Sequence, residues 1–151
     1  NISDKLKTLN IELPKAPEPV GSYVAFKKVN NLLYISGQLP ISIDGKILKG
    51  KIGDNLTLED GQKASMLCVI NILSQVNKAL DGNLSKVRSC IKITGFVNST
   101  NDFNDQPKVI NPASETLTKI FGDSGKHTRA AVSTNSLPLG AAVEIDAIFE
   151  I

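Results

Sequence analysis

Between residues 66 and 80 the apolar positions return every three or four residues, at Met66, Val69, Leu73, Val76 and Leu80, which is one face of a helix. Thr57 and Asp60 stand ahead of this run at the spacing of a capping box, and Asp81-Gly82-Asn83 stops it, so the pattern predicts a helix from Leu58 to Leu80. The period then drops to two. Val87, Ser89, Ile91, Ile93 and Val97 fall on one side, and Arg88, Cys90, Lys92, Thr94 and Phe96 on the other, which predicts a strand. The chain ends the same way: Val143, Ile145, Ala147, Phe149 and Ile151 share one face and Glu144, Asp146 and Glu150 share the opposite one.

Shorter signals fill the gaps. Asp4 to Leu9 reads as a short amphipathic helix, and Pro14, Pro17 and Pro19 enforce an extended arm after it. The β-rich runs SYVAFKKV and NLLYISGQLPI, parted by Asn30 and Asn31, predict a hairpin, and Asp44-Gly45 predicts another turn with a short strand. In INPASETLTKIFG, Asn111 is placed to cap a second helix with Pro112 at its first position and Gly122 after its end; a start near Asp102 is the alternative. Thr128 to Thr134 and Ala141 to Ile151 read as two closing strands linked by NSLPLG. Strand, strand, helix, strand, helix, strand, strand is an α+β order, and it predicts one mixed sheet with both helices on one face. Residues 1–151 form one domain in this reading, with 1–20 as its N-terminal arm.

Composition narrows the function classes. With 41% hydrophobic and 21% charged residues the chain has ordinary globular usage, which excludes a disordered or collagen-like protein. No apolar run approaches the roughly 18 residues of a membrane span, and the first 20 residues lack the regions of a signal peptide, so a cytoplasmic protein without membrane attachment is expected. Seventeen basic against 15 acidic residues leave a net charge of +2 with scattered lysines, which argues against nucleic acid as the partner. His127 is the one histidine, and Cys68 and Cys90 sit in apolar periodic segments as small hydrophobes; no spacing suits a metal site, and none is expected.

Two charges inside the closing strands need a reason. If those strands pair as a hairpin around NSLPLG, Arg129 lies across from Glu144 or Asp146 on the side of the sheet away from the helices. A surface ion pair is the plain reading, worth about 0–1 kcal/mol. The chemical reading is that the guanidinium grips a ligand carboxylate in a bidentate fork while Glu144 handles a proton on water.

The segments LYISGQLPI, ITGFVNS and HTRAAVSTNSLPLGAAVEIDAIFEI resemble the RidA family, also called YjgF, of reactive-intermediate imine deaminases, from about Val20 to Ile151. The N-terminal arm and the insert KGKIGDNLTLEDGQ resemble a longer branch of that family. The resemblance implies a chorismate-mutase-like fold assembled as a homotrimeric barrel, with ligand clefts between subunits and no cofactor. It implies that Arg129 binds the substrate carboxylate, that Glu144 and Tyr23 act beside it, and that Ser36, Gly37 and Asn111 line the cleft; a helix N-cap is the alternative role for Asn111. Ala131 stands where many deaminating members carry cysteine, which bears on substrate range. The implied reaction is hydrolysis of 2-imino acids and their enamines to 2-keto acids and ammonia. Two other readings are a non-catalytic trimer that binds keto acids or similar carboxylates, and a single-strand endoribonuclease, against which stand 5% aromatic residues and the near-neutral charge.

Overall fold

The computed structural model describes residues 1–151. Its elements are α1 (Ile2–Thr8), β1 (Phe26–Val29), β2 (Leu32–Gln38), α2 (Leu58–Ala79), β3 (Ser89–Asn98), α3 (Gln106–Phe121), β4 (Thr128–Thr134) and β5 (Val143–Glu150). The five strands form one sheet in the order β1-β2-β5-β3-β4, in which only β3 and β4 run parallel. α2 and α3 pack on one face of it, and the buried side chains between form one cluster that includes Leu33, Ile72, Ile93, Leu117 and Phe149. The α+β arrangement expected from the sequence is therefore present. No helix is long and apolar enough to cross a membrane.

The locally coded elements follow the sequence closely. Thr57 Oγ1 accepts from the Asp60 N–H at 3.1 Å while Asp60 Oδ2 accepts from the Thr57 N–H at 2.9 Å, so two first-turn donors of α2 are satisfied reciprocally. Asn30 takes the left-handed conformation, φ 55°, in the turn of the β1–β2 hairpin. Asp44-Gly45 makes its turn, but isolated bridges, Ile41 to Ile47 across it and Lys49 to Ala141 beyond it, stand in place of a strand. On β5, Val143, Ile145, Ala147 and Phe149 are buried and Glu144, Asp146 and Glu150 face the other way.

Three expectations are corrected. α3 starts at Gln106, so Asn111 is not its N-cap and Pro112 lies inside the helix. A proline there removes the hydrogen bond to the carbonyl four residues earlier, that of Lys108. Gln62 of α2 donates its side-chain amide to that carbonyl at 2.9 Å, and the helix runs through. In β3 a bulge between Cys90 and Lys92 breaks the strict alternation, turning Cys90 inward and Ile91 outward. Finally, β4 and β5 do not form a hairpin, because β3 lies between them, parallel to β4 and antiparallel to β5.

Candidate functional site

That last correction decides where the charged residues point. Arg129 is in register with Ile93, which is in register with Ala147, and both of those are buried under the helices. Glu144 is in register with Phe96, and Asp146 with Thr94, on the open face. Arg129 and the two carboxylates therefore leave opposite sides of the sheet, and Arg129 pairs with neither Glu144 nor Asp146. None of the ion pairs of the chain involves Arg129.

On the helix side, Arg129 meets α3. Its Nη1 donates to Asn111 Oδ1 at 2.9 Å and to Ser114 Oγ at 3.2 Å, two residues three apart and so on one helical face. Nη2 and Nε donate to no atom of the chain, which leaves one edge of the guanidinium for a ligand. Ser114 Oγ is also 2.8 Å from Nε2 of His127, whose Nδ1 is 2.6 Å from the Gly125 carbonyl. Asn111 thus stands beside Arg129 rather than at the helix N-terminus. Ser114 was missed, and His127 was noted only as the lone histidine.

A second group gathers on the open face. Ser36 and Gly37 lie where the β2–β5 register shifts between Ile35 and Gln38, so the strand bulges there. A Cβ on Gly37 would fall on Oε2 of Glu144; the glycine lets the Glu144 side chain cross β2. Ser36 donates its hydroxyl to the Val24 carbonyl at 2.7 Å and its N–H to the Ala25 carbonyl at 2.9 Å, tying down the segment that carries Tyr23. Tyr23 is 48% exposed and lines a small pocket with Pro17, Val20, Gly37 and Gln38. The Val20 N–H donates to its hydroxyl at 3.4 Å.

The electrostatics of this second group suit proton transfer. Burial, and secondarily the neighbouring Asp146, push the Glu144 carboxyl above its ordinary value. Asp146 is raised by burial too, with hydrogen bonds from Thr94 and the Lys92 charge pulling the other way. The thiols are poor nucleophiles by contrast: burial pushes Cys90 up to about 12 and raises Cys68 well above the usual thiol range. No three His, Cys, Asp or Glu side chains gather as a metal-binding cluster.

The candidate residues thus fall into two groups. Arg129, Asn111 and Ser114 stand at the edge strand β4, facing the helices, while Tyr23, Ser36, Gly37 and Glu144 stand on the open side around β2 and β5. Residues 3–150 match the family described as "YjgF/chorismate_mutase-like, putative endoribonuclease". The protein TCP17 of Trypanosoma cruzi is 39% identical over 151 residues, covering 99% of this chain and 94% of that one. A crystal structure of the protein Atu1372, of unknown function, from Agrobacterium tumefaciens superposes with a TM-score of 0.92 at 47% identity, covering 99% of this chain and 93% of that one. The 2-iminobutanoate/2-iminopropanoate deaminase of Dermatophagoides farinae is 28% identical over 139 residues, 91% of this chain and 92% of its own. A family match across nearly the whole chain, on a chorismate-mutase-like sheet with its helices on one face, places this protein in the YjgF/RidA family.

Proposed function

We propose that the protein hydrolyses 2-imino acids to 2-keto acids and ammonia, in clefts that each join the Arg129 half-site of one copy to the Tyr23–Glu144 half-site of the next. One observation carries this reading. Arg129 is held through a single nitrogen by two neutral acceptors, is paired with no carboxylate of its own chain, and keeps its remaining N–H groups for a ligand. A guanidinium presented in this way suits a small molecule with a carboxylate. The deaminase among the relatives supplies the substrate class.

The chemistry follows from the groups available. Arg129 anchors the substrate carboxylate and so fixes the position of the adjacent imine carbon. A water near Glu144 gives up a proton as its oxygen bonds to that carbon, and the nitrogen takes up a proton. The resulting carbinolamine expels ammonia as its hydroxyl becomes the keto oxygen. A carboxyl group raised above its ordinary value by burial serves both proton transfers, and general acid–base catalysis of this kind contributes about 10²–10⁴ in rate. No cofactor is needed, since the imine is already electrophilic.

A cyclic trimer is the assembly proposed to close the clefts. The open face supports it: Val29, Tyr34 and Val132 are 45%, 43% and 46% exposed there, beside the half-buried Glu144 and Asp146. The test is release of ammonia and keto acid from imino acids generated in situ by an amino-acid oxidase. Wild type should exceed the uncatalysed rate and Arg129→Ala should not. Keto-acid binding by wild type without any acceleration would make the protein a carboxylate binder instead. An RNase signal that survives Arg129→Ala and tracks with a contaminant on gel filtration would remove the endoribonuclease reading.

A further inference from the structure

We infer that Ser114 and His127 are positioning residues for Arg129, forming a directional hydrogen-bond relay that fixes the guanidinium plane for its ligand. The inference rests on the reading that Arg129 receives a ligand carboxylate, and it adds two residues that do not touch that ligand.

The direction of the relay is dictated by chemistry. A backbone carbonyl can only accept, so the 2.6 Å contact between His127 Nδ1 and the Gly125 oxygen requires the proton on Nδ1. In the neutral ring Nε2 is then a bare acceptor, and the 2.8 Å contact with Ser114 must be donated by the serine hydroxyl. With its proton committed to the ring, Ser114 Oγ presents lone pairs toward Arg129 and accepts from Nη1 at 3.2 Å. Without His127 the hydroxyl is free to rotate and point its proton at the guanidinium.

The framework behind the relay is rigid. Gly125 is buried against the last turns of α3, where a Cβ would press on the backbone of Leu117 and come within 2.9 Å of the Thr118 Cα. Only glycine lets the loop seat there, and that seating brings the Gly125 carbonyl within reach of the ring two residues on. His127 immediately precedes β4, Arg129 is the strand's second residue, and both side chains reach α3. Asn111 and Ser114 then hold the two hydrogens of Nη1 from one helical face. A guanidinium gripped at one nitrogen in two directions keeps its plane, so its other edge meets a planar carboxylate with little left to order.

The chain's single histidine and its two arginines, Arg88 and Arg129, make the test direct. In ¹⁵N-labelled protein with a neutral ring, the long-range ring spectrum should show Nδ1 protonated and Nε2 unprotonated, and Ser114→Ala should shift Nε2. The Arg129 side-chain N–H signals should show hindered rotation in wild type and Ser114→Thr, and averaging in Ser114→Ala and His127→Phe. An Nε2-protonated tautomer, or guanidinium signals indifferent to Ser114, would overturn the relay. In function, Ser114→Ala should raise KM for an imino acid, or Kd for a 2-keto acid, roughly tenfold, the loss of one hydrogen bond to a charged group. Ser114→Thr should restore it. If wild type neither binds nor converts these acids, the proposed function fails, while the spectra still decide the relay.

Discussion

Gly95 holds α3 close enough to the sheet for Asn111 and Ser114 to reach Arg129, and replacing it by alanine tests that geometry. An ideal Cβ at Gly95 would lie 2.6 Å from both Cδ1 and Cγ1 of the fully buried Ile110. That is roughly 1 Å short of an ordinary carbon–carbon contact. Either Ile110 leaves its rotamer or α3 retreats, and overpacking of this kind costs about 1–3 kcal/mol. Alanine also stiffens the unfolded chain, which offsets about 0.4–1 kcal/mol, so the expected net loss is about 1–2 kcal/mol. At about 2–4 °C per kcal/mol for a chain of this size, Tm should fall by several degrees.

The same displacement reaches the site, because Ile110 immediately precedes Asn111. The Arg129 bonds of 2.9 and 3.2 Å have little room to lengthen before they cease to be hydrogen bonds. Gly95→Ala should therefore weaken 2-keto acid binding as well as stability. Urea unfolding and calorimetric titration measure the two, and Ile110→Ala supplies the control. Alone it should cost about 2–5 kcal/mol. Combined with Gly95→Ala it should cost less than the sum of the singles, because the new methyl enters the space that Ile110 vacates. A Gly95→Ala protein within about 0.5 kcal/mol of wild type, or a double variant additive to within about 0.5 kcal/mol, would refute the close-approach argument.

Three further predictions address the site and its support. Arg129→Ala and Glu144→Gln should each be inactive alone, yet co-refolded in equal amounts they should recover about a quarter of wild-type activity, since in a ring of identical head-to-tail contacts one cleft in four draws both intact residues; no recovery would place both residues in one copy's own site. The Glu144 carboxyl is raised in the fold by burial and by Asp146, so the folded protein holds that proton more tightly than the unfolded chain. Stability then falls as pH rises from the ordinary carboxylate value through the raised one, and Glu144→Gln should be more stable than wild type at neutral pH with the difference vanishing in acid, as denaturant midpoints across pH will show. Gln62→Ala strips the Lys108 carbonyl of its donor beside Pro112 and, because that bond is exposed, should cost only about 0.5–1.5 kcal/mol by urea titration, with amide exchange in α3 accelerated between Lys108 and Pro112.

Elements coded within a dozen residues were legible in the sequence: the α2 cap and apolar stripe, the β1–β2 turn, and the alternation of β5. What misled at α3 and at the closing strands involves residues from elsewhere in the chain. Pro112 has the local signature of a first helical residue, yet the helix begins at Gln106, and Gln62, on another helix, donates to the Lys108 carbonyl that the proline leaves free. NSLPLG joins two strands as a hairpin loop would, but β3 takes the place between them, and nothing within the loop records that. The same limit shaped the site. A charge amid apolar strand residues singled out Arg129, but its side of the sheet depends on pairing with β3. Ser114 and His127 needed that side to be known: three positions from Asn111 and two from Arg129, they are at the right intervals only once α3 and β4 face one another.

The opposite facing of Arg129 and Glu144 bears on how the proposed activity would be built. Had the two stood on one face in contact, the guanidinium would have been neutralised by its own chain, and a substrate carboxylate would have had to displace Glu144 to bind. Placing them on opposite faces keeps the arginine unpaired toward carboxylates and the glutamate away from a cation that would hold it ionised. In the proposed assembly both meet only where copies join, across a substrate whose carboxylate takes the arginine and whose imine is left for the glutamate. Catalytic competence then depends on association. Dilution below the dissociation range should abolish turnover while leaving each folded chain, and its Arg129–Ser114–His127 relay, intact; turnover proportional to protein concentration through that range would show instead that one copy suffices.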